Sequence, residues 1–356
     1  MARRTRFRTW LCLTALCSAV LMTGCNETPK PEVETGTTAT ASISAAMVTD
    51  TGGIDDKSFN AAAWAGLQRA YQELRLQGKP RYIESREQSD YETNLSTLAE
   101  QGNDIVIAVG YMMEDALKAV APRYPNTRFA IVDGNAPDLP NCVAIQFREH
   151  EACFLAGYLA AKMSRTGAIA FIGGKEGGPL VRFQVGYMAG AKAARSDIRV
   201  LVKYVGSFSD TGKGAELGRE AIQQGADIVM AAAGTAGLGT LKAVADRGAG
   251  YYAIGVDRDQ DDLYPGRVLT SVMKGVDSGV YEAIKSLVDG RWQSGKRVLG
   301  LKEDGMRLSP MRFTRQDVPP ALLTRLEEIA AKIKAGELTV PQTEEELQNM
   351  PPALLQ

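Results

Sequence analysis

Residues 48–60, VTDTGGIDDKSFN, gather the side chains with the greatest chemical reach in the chain. Asp50, Asp55 and Asp56 supply carboxylates, Gly52 and Gly53 free the backbone, and Phe59 and Asn60 add a flat ring and an amide. An apolar run over 43–49 predicts a strand leading into this loop, and a helix is expected to open at Ser58. In α/β proteins, ligands sit beyond the carboxyl ends of parallel strands and against helix N-termini. The loop therefore holds the parts for gripping a small, ring-bearing polar molecule rather than for breaking one.

Reactive constellations are scarce elsewhere. The single histidine, His150, lies between Glu149 and Glu151 at an expected helix start, where a solvated residue is a simpler reading than a catalytic base. No Ser-His-Asp set, His-rich metal motif or Cys-x-x-Cys pair is present. GSFSDTGKG over 206–214 approaches a phosphate loop, but it has one residue too many between Gly206 and Gly212, and Gly214 replaces the magnesium-binding hydroxyl. Residues 234–239 approach a dinucleotide fingerprint, with Lys242 where its last glycine belongs. Asp257, Asp259, Asp261 and Asp262 suggest a calcium loop, yet Asp262 and Val268 occupy its glycine and glutamate places. No metal or cofactor is expected. All three near misses follow predicted strands, so each is expected to face a common cleft.

The elements that must position these residues begin after an export signal over 1–24. Arg3, Arg4, Arg6 and Arg8 precede an apolar run from Trp10 to Met22, too short for a permanent membrane span. Thr23-Gly24-Cys25 resembles a lipobox, which implies cleavage before Cys25 and lipid on its thiol; a plain secretory signal is the alternative. Residues 25–42, rich in Thr, Pro and Glu, read as a disordered tether. The remaining body, about 300 residues, suggests two domains. A net charge of −1 argues against a nucleic-acid partner. Cys142 starts an expected strand and Cys153 sits in an expected apolar helix, so two separate buried thiols are expected rather than a disulfide.

Along the body, apolar runs alternate with helix-period segments, the mark of parallel sheets with crossover helices. The two halves also match. Gln101-Gly102-Asn103-Asp104-Ile105-Val106 recurs as Gln224-Gly225-Ala226-Asp227-Ile228-Val229. Phe59-Asn60 with Gly66 recurs as Phe183-Gln184 with Gly190, and the strand 130–133 ending in Asp133 recurs as 253–257 ending in Asp257, always at offsets of 123 or 124. Matches in register imply two Rossmann-like lobes of one topology, joined by a hinge and facing each other across a cleft. The first lobe is expected over 43–148 plus about 275–295, and the second over 149–274 plus about 296–340. A strand pair is expected near 296–310, a helix over about 319–335, a loose tail over 341–356, and hinges near 146–150 and 271–276.

The opening motif followed by Trp64-Ala65-Gly66-Leu67 closely resembles the basic membrane protein family, the purine-nucleoside-binding lipoproteins of bacterial ABC importers. Gly110 after DIVIAV, Gly206-Ser207-Phe208, Gly255-Val256-Asp257 and Thr270-Ser271-Val272-Met273-Lys274 agree with it, over about 43–340. The resemblance implies a type I periplasmic binding protein fold, with Phe59 and Phe208 on the two faces of a purine. It implies polar contacts from Asp50, Asn60 and Asp115, close backbone approach at Gly234, and a ribose pair in Asp257 and Lys274. An interlobe salt bridge is the alternative for that pair, and a solvated helix turn the alternative for Asp115. Gln184, where the family usually has an acidic residue, and the atypical Gly177-Gly178-Pro179-Leu180 loop suggest a different nucleoside preference.

The expected function is a monomeric, lipid-anchored solute-binding protein of the bacterial cell envelope, facing the periplasm or exterior. It would deliver a purine nucleoside to a permease and an ATPase, without chemistry on the ligand. A surface lipoprotein that senses the ligand for a membrane partner is the alternative, and a nucleoside hydrolase a weaker one, since no general acid accompanies the aspartates.

Overall fold

The computed structural model describes residues 42–351. The expected signal over 1–24, Cys25 and the tether as far as residue 41 lie outside them. Among the described residues, no helix is long and apolar enough to cross a membrane.

In chain order the first elements are β1 (Ala45–Thr49), α1 (Phe59–Glu73), β2 (Arg81–Glu84), α2 (Asp90–Glu100), β3 (Ile105–Val109), α3 (Glu114–Val120), β4 (Arg128–Val132) and β5 (Cys142–Phe147). There follow α4 (Glu149–Met163), β6 (Ala168–Gly173), α5 (Pro179–Ala194), β7 (Arg199–Tyr204), α6 (Thr211–Gln223), β8 (Ile228–Ala232), α7 (Gly234–Ala245), β9 (Tyr252–Asp257) and β10 (Val268–Lys274). The chain ends with α8 (Val276–Val288), β11 (Gly295–Leu299), β12 (Met306–Leu308), α9 (Pro320–Ala335) and α10 (Glu344–Gln348).

Two six-stranded sheets result, in the orders β11-β5-β4-β3-β1-β2 and β12-β10-β9-β8-β6-β7. The first five strands of each lobe follow one order, so the sequence duplication is a duplication of topology. Central strands such as β3, IVIAV, are buried at every position, because helices cover both faces of a parallel sheet. The edge strand β2 is mostly exposed. This is the two-lobed α/β architecture expected of a type I periplasmic binding protein.

Two crossover helices change lobes. α4 follows β5 of the first sheet but packs on α5 in the second lobe, while α8 follows β10 of the second sheet but packs on α1 in the first. Glycine makes both contacts possible: a Cβ on Gly66 would lie 2.3 Å from the Asp277 carbonyl oxygen, and one on Gly190 1.9 Å from that of Phe154. These are the two glycines that echo each other in the sequence.

Three strands of chain therefore cross between lobes, after β5, after β10 and between β11 and β12. The third lies later than the crossing expected at about 295. Gly295–Leu299 does not pair with Met306–Leu308; β11 runs parallel to β5 in the first sheet, and β12 antiparallel to β10 in the second. The second lobe's share of the C-terminal segment thus begins after β11 rather than at about 296. Such short runs carry no signal for which of two sheet edges they join. The tail expected to be loose contains α10, which packs on α5. Cys142 and Cys153 are buried free thiols, and burial pushes the Cys142 thiol up to about 12, which suits an inert core residue.

Candidate ligand-binding cleft

The strand-end loops of both sheets meet around one narrow cavity of about 50 Å³. Its walls include Asp50, Phe59, Asn60, Tyr111 and Asp133 from the first lobe, and Leu180, Phe183, Phe208, Gly234, Asp257 and Lys274 from the second.

The opening loop divides its carboxylates among three tasks. Asp55 is exposed. Asp56 is fully buried and caps α1, with Oδ1 accepting from the Ser58 and Ala61 amides and Oδ2 from the Asn60 amide; burial raises its carboxyl to about 6 despite these bonds. Asp50 faces the cavity, and burial raises its carboxyl too. The Asn60 amide nitrogen donates to Asp50 Oδ1 at 2.8 Å and to Asp56 Oδ2 at 3.1 Å. Both its hydrogens are thereby committed, so Asn60 orients Asp50 and can offer a ligand only its carbonyl oxygen.

On the opposite wall, Phe208 lies across Gly174, where a Cβ would come within 2.3 Å of the ring. Gly234 opens α7 at a φ of +53°, with the Phe208 carbonyl 3.3 Å from where its Cβ would stand. The glycine thus serves two needs, a left-handed backbone and room for the aromatic loop.

Beyond the rings lies a charged end. Asp133 and Asp257 close β4 and β9 in matching left-handed conformations, with φ of +68° and +66°. Lys274, 3% exposed, donates to Asp133 Oδ2 at 2.5 Å and to Glu149 Oε1 at 2.8 Å. Glu149 is fully buried, and its Oε2 accepts from Arg182 Nε at 2.7 Å. Burial works to lower the lysine, but Asp133, Glu149 and Asp257 hold it above its ordinary value. Burial also works against the Glu149 charge, yet Lys274 and Arg182 keep that carboxyl below its usual range. Asp257 is raised to about 6, chiefly by burial. Asp133 Oδ1 is buried with no hydrogen-bond partner.

The lobes are closed on each other. Ser58 donates to Asp257, Thr235 to the Gly52 carbonyl at 2.7 Å, Gln260 to the Lys57 carbonyl at 3.2 Å, and Lys274 to Asp133. Tyr111 of the first lobe packs so closely on Gly178 that a Cβ there would lie 2.8 Å from its ring.

Seven of the eight ligand residues expected from the sequence, Asp50, Phe59, Asn60, Phe208, Gly234, Asp257 and Lys274, line this cavity. Asp115 does not: it is exposed on the first turn of α3, where acidic residues favour the helix N-terminus. A further first-lobe carboxylate in the site is Asp133, and its signal was the repeat with Asp257. Phe183 was missed likewise, although it repeats Phe59. Gln184 points away, accepting from Tyr204 at 2.5 Å and donating to Glu344 of α10 at 3.3 Å. Among the described residues no three His, Cys, Asp or Glu side chains are grouped as a metal site; Asp259 and Asp262 pair with Arg312. His150 is buried and lowered to about 4, chiefly by burial, and lies outside the cavity.

Residues 43–344 match the family model described as ABC transporter substrate-binding protein PnrA-like. The ABC transporter nucleoside-binding protein BmpA of Lactococcus lactis is 34% identical, with 92% of this chain and 96% of that protein covered. Basic membrane protein A of Borreliella afzelii is 34% identical, covering 83% of this chain and 90% of its own length. Among solved structures, an ABC transporter solute-binding protein from Aeropyrum pernix superposes with a TM-score of 0.80 at 29% identity, over 88% of this chain and 98% of that one.

Proposed function

The chain belongs to the family of PnrA-like ABC transporter substrate-binding proteins, and from that premise we propose that its ligand is a purine nucleoside. As a member it works outside the cytoplasmic membrane with an ABC permease as partner. The observation that carries the nucleoside reading is the pairing of an aromatic clamp with an unfilled acceptor. Phe59 and Phe208 come from opposite lobes and can hold a flat base between them. Asp133 Oδ1, buried without a partner, calls for a donor such as a ribose hydroxyl, because an unsatisfied buried acceptor costs about 1–3 kcal/mol. Asp257 and Lys274 complete a set that accepts from and donates to vicinal hydroxyls.

In this reading the lobes close over the nucleoside by bending at the three crossings and release it unchanged to the permease. The protein is held to the membrane by lipid on Cys25. Calorimetry on protein lacking residues 1–25 should give heats with guanosine, inosine or adenosine, and Phe208→Ala should weaken that binding. Silence with every nucleoside and base would sink the assignment. Incorporation of labelled palmitate, lost in Cys25→Ala, tests the anchor.

A further inference from the structure

Lys274 is held by two carboxylates that belong to different bodies. Asp133 stands on the first lobe, at the end of β4. Glu149 stands on the second, in the first turn of α4, beside the last residue of β10. When the lobes part, the bond to Asp133 must break, while the bond to Glu149 lies within one body and can persist. Glu149 is moreover fixed from behind by Arg182, which lies on α5 next to the cavity residue Phe183.

We propose that Glu149, backed by Arg182, is a positioning residue that keeps the Lys274 ammonium aimed into the open cleft, so that an incoming ligand meets it already in place. A lysine side chain is a flexible four-carbon stem carrying a point charge. Freed of Glu149 in the open cleft, it would be left with Asp257 as its neighbouring charge, and would have to be ordered anew at each binding event. Pre-organisation of this kind lowers the ordering cost of association. The role toward ligand rests on the nucleoside reading, in which Lys274 serves the sugar hydroxyls.

The test compares inosine with 2′,3′-dideoxyinosine by calorimetry. Glu149→Gln should weaken inosine by about 10- to 100-fold, the usual loss when a group that orients a ligating one is removed, and leave dideoxyinosine within about twofold. Equal losses for both ligands would overturn the proposal, since a general structural defect does not distinguish them. In a Lys274→Met background Glu149→Gln should add nothing further; an additive loss would also overturn it. Should Glu149→Gln fail to fold, Arg182→Met, at a partly exposed side chain, carries the same comparison. A reading without ligand separates this idea from the nucleoside assignment. In protein with ¹³C-labelled lysine, the two Cε protons of Lys274 should be inequivalent in the wild type and averaged in the variant. An unchanged Cε signal defeats the positioning role whether or not any nucleoside binds.

Discussion

Phe59 and Phe183 stand at matching places in the two repeats, one opening α1 and the other in the second turn of α5, and each is followed seven residues on by a close-packing glycine. The Lys274 ammonium lies 5.4 Å from the centroid of the first ring and 5.3 Å from that of the second. One cation thus sits against the same aromatic position taken twice from a duplicated sequence, an arrangement that favours holding the ammonium in a desolvated cleft.

Removing an aromatic wall should cost affinity without unfolding the protein. Stacking on a base is worth about 1–3 kcal/mol per ring, so Phe59→Ala and Phe208→Ala should each weaken nucleoside binding by about 5- to 150-fold in calorimetry. Phe183→Leu keeps an apolar wall and should cost less than either. A Phe208→Ala protein that binds as tightly as wild type would remove the aromatic clamp from the account.

Two aspartates separate the site from its sequence forecast. Asp133→Asn should weaken binding by about tenfold or more, the loss expected for a charged hydrogen bond. Asp115→Asn should leave it unchanged, because that side chain is in water. The reverse result would restore Asp115 to the site.

The glycines that let the crossover helices dock are sensitive positions. Gly190→Ala would place a methyl group 1.9 Å from the Phe154 carbonyl oxygen, and Gly66→Ala one 2.3 Å from that of Asp277. Helix backbones must part to admit either, at a cost of about 1–3 kcal/mol or more. Urea unfolding should show a lower midpoint for both variants, with Gly190→Ala the more damaging. A wild-type midpoint in either would show that the helices can shift freely.

Stability should rise as pH falls from about 7.5 to about 5.5. Burial raises Asp56 and Asp257 to about 6 in the folded chain, so each contributes stability that is fully present below the unfolded value and lost as pH climbs through about 6. Asp133 is raised as well, again chiefly by burial. His150 acts in the opposite sense: burial lowers it to about 4, so the unfolded chain takes up a proton first as the solution is acidified. Three carboxyls outweigh one imidazole in this window. Below about pH 4.5 the trend should reverse, as Glu149, held down by Lys274 and Arg182 against its burial, loses its charge. Urea midpoints across this range check the curve, and Asp257→Asn should flatten its rise. A steady fall from pH 7.5 downward would contradict the sign.

Most of the architecture was legible because its signals are periodic and repeated. The buried runs of β1 and β3, the helices between them and the offset of 123 or 124 residues all lie in the chain itself. The sheet membership of β11 and β12 was not, since a five-residue and a three-residue strand look alike whichever lobe they join. Within the site, Phe59, Phe208, Asp257 and Lys274 were readable from local motifs. Asp133 and Phe183 were present only as echoes, and following the repeat to its conclusion would have found them. Glu149 could not be found that way. Its importance comes from a contact across 125 residues of chain, which no local pattern encodes.

The exchange of α4 and α8 between lobes bears on how such a protein can be divided. Neither contiguous half of the chain encodes a finished body: the stretch before α4 lacks the helix that covers α1, and the stretch after it supplies that helix to its neighbour. A gene fragment for one half would express a piece with an open helix-sized groove.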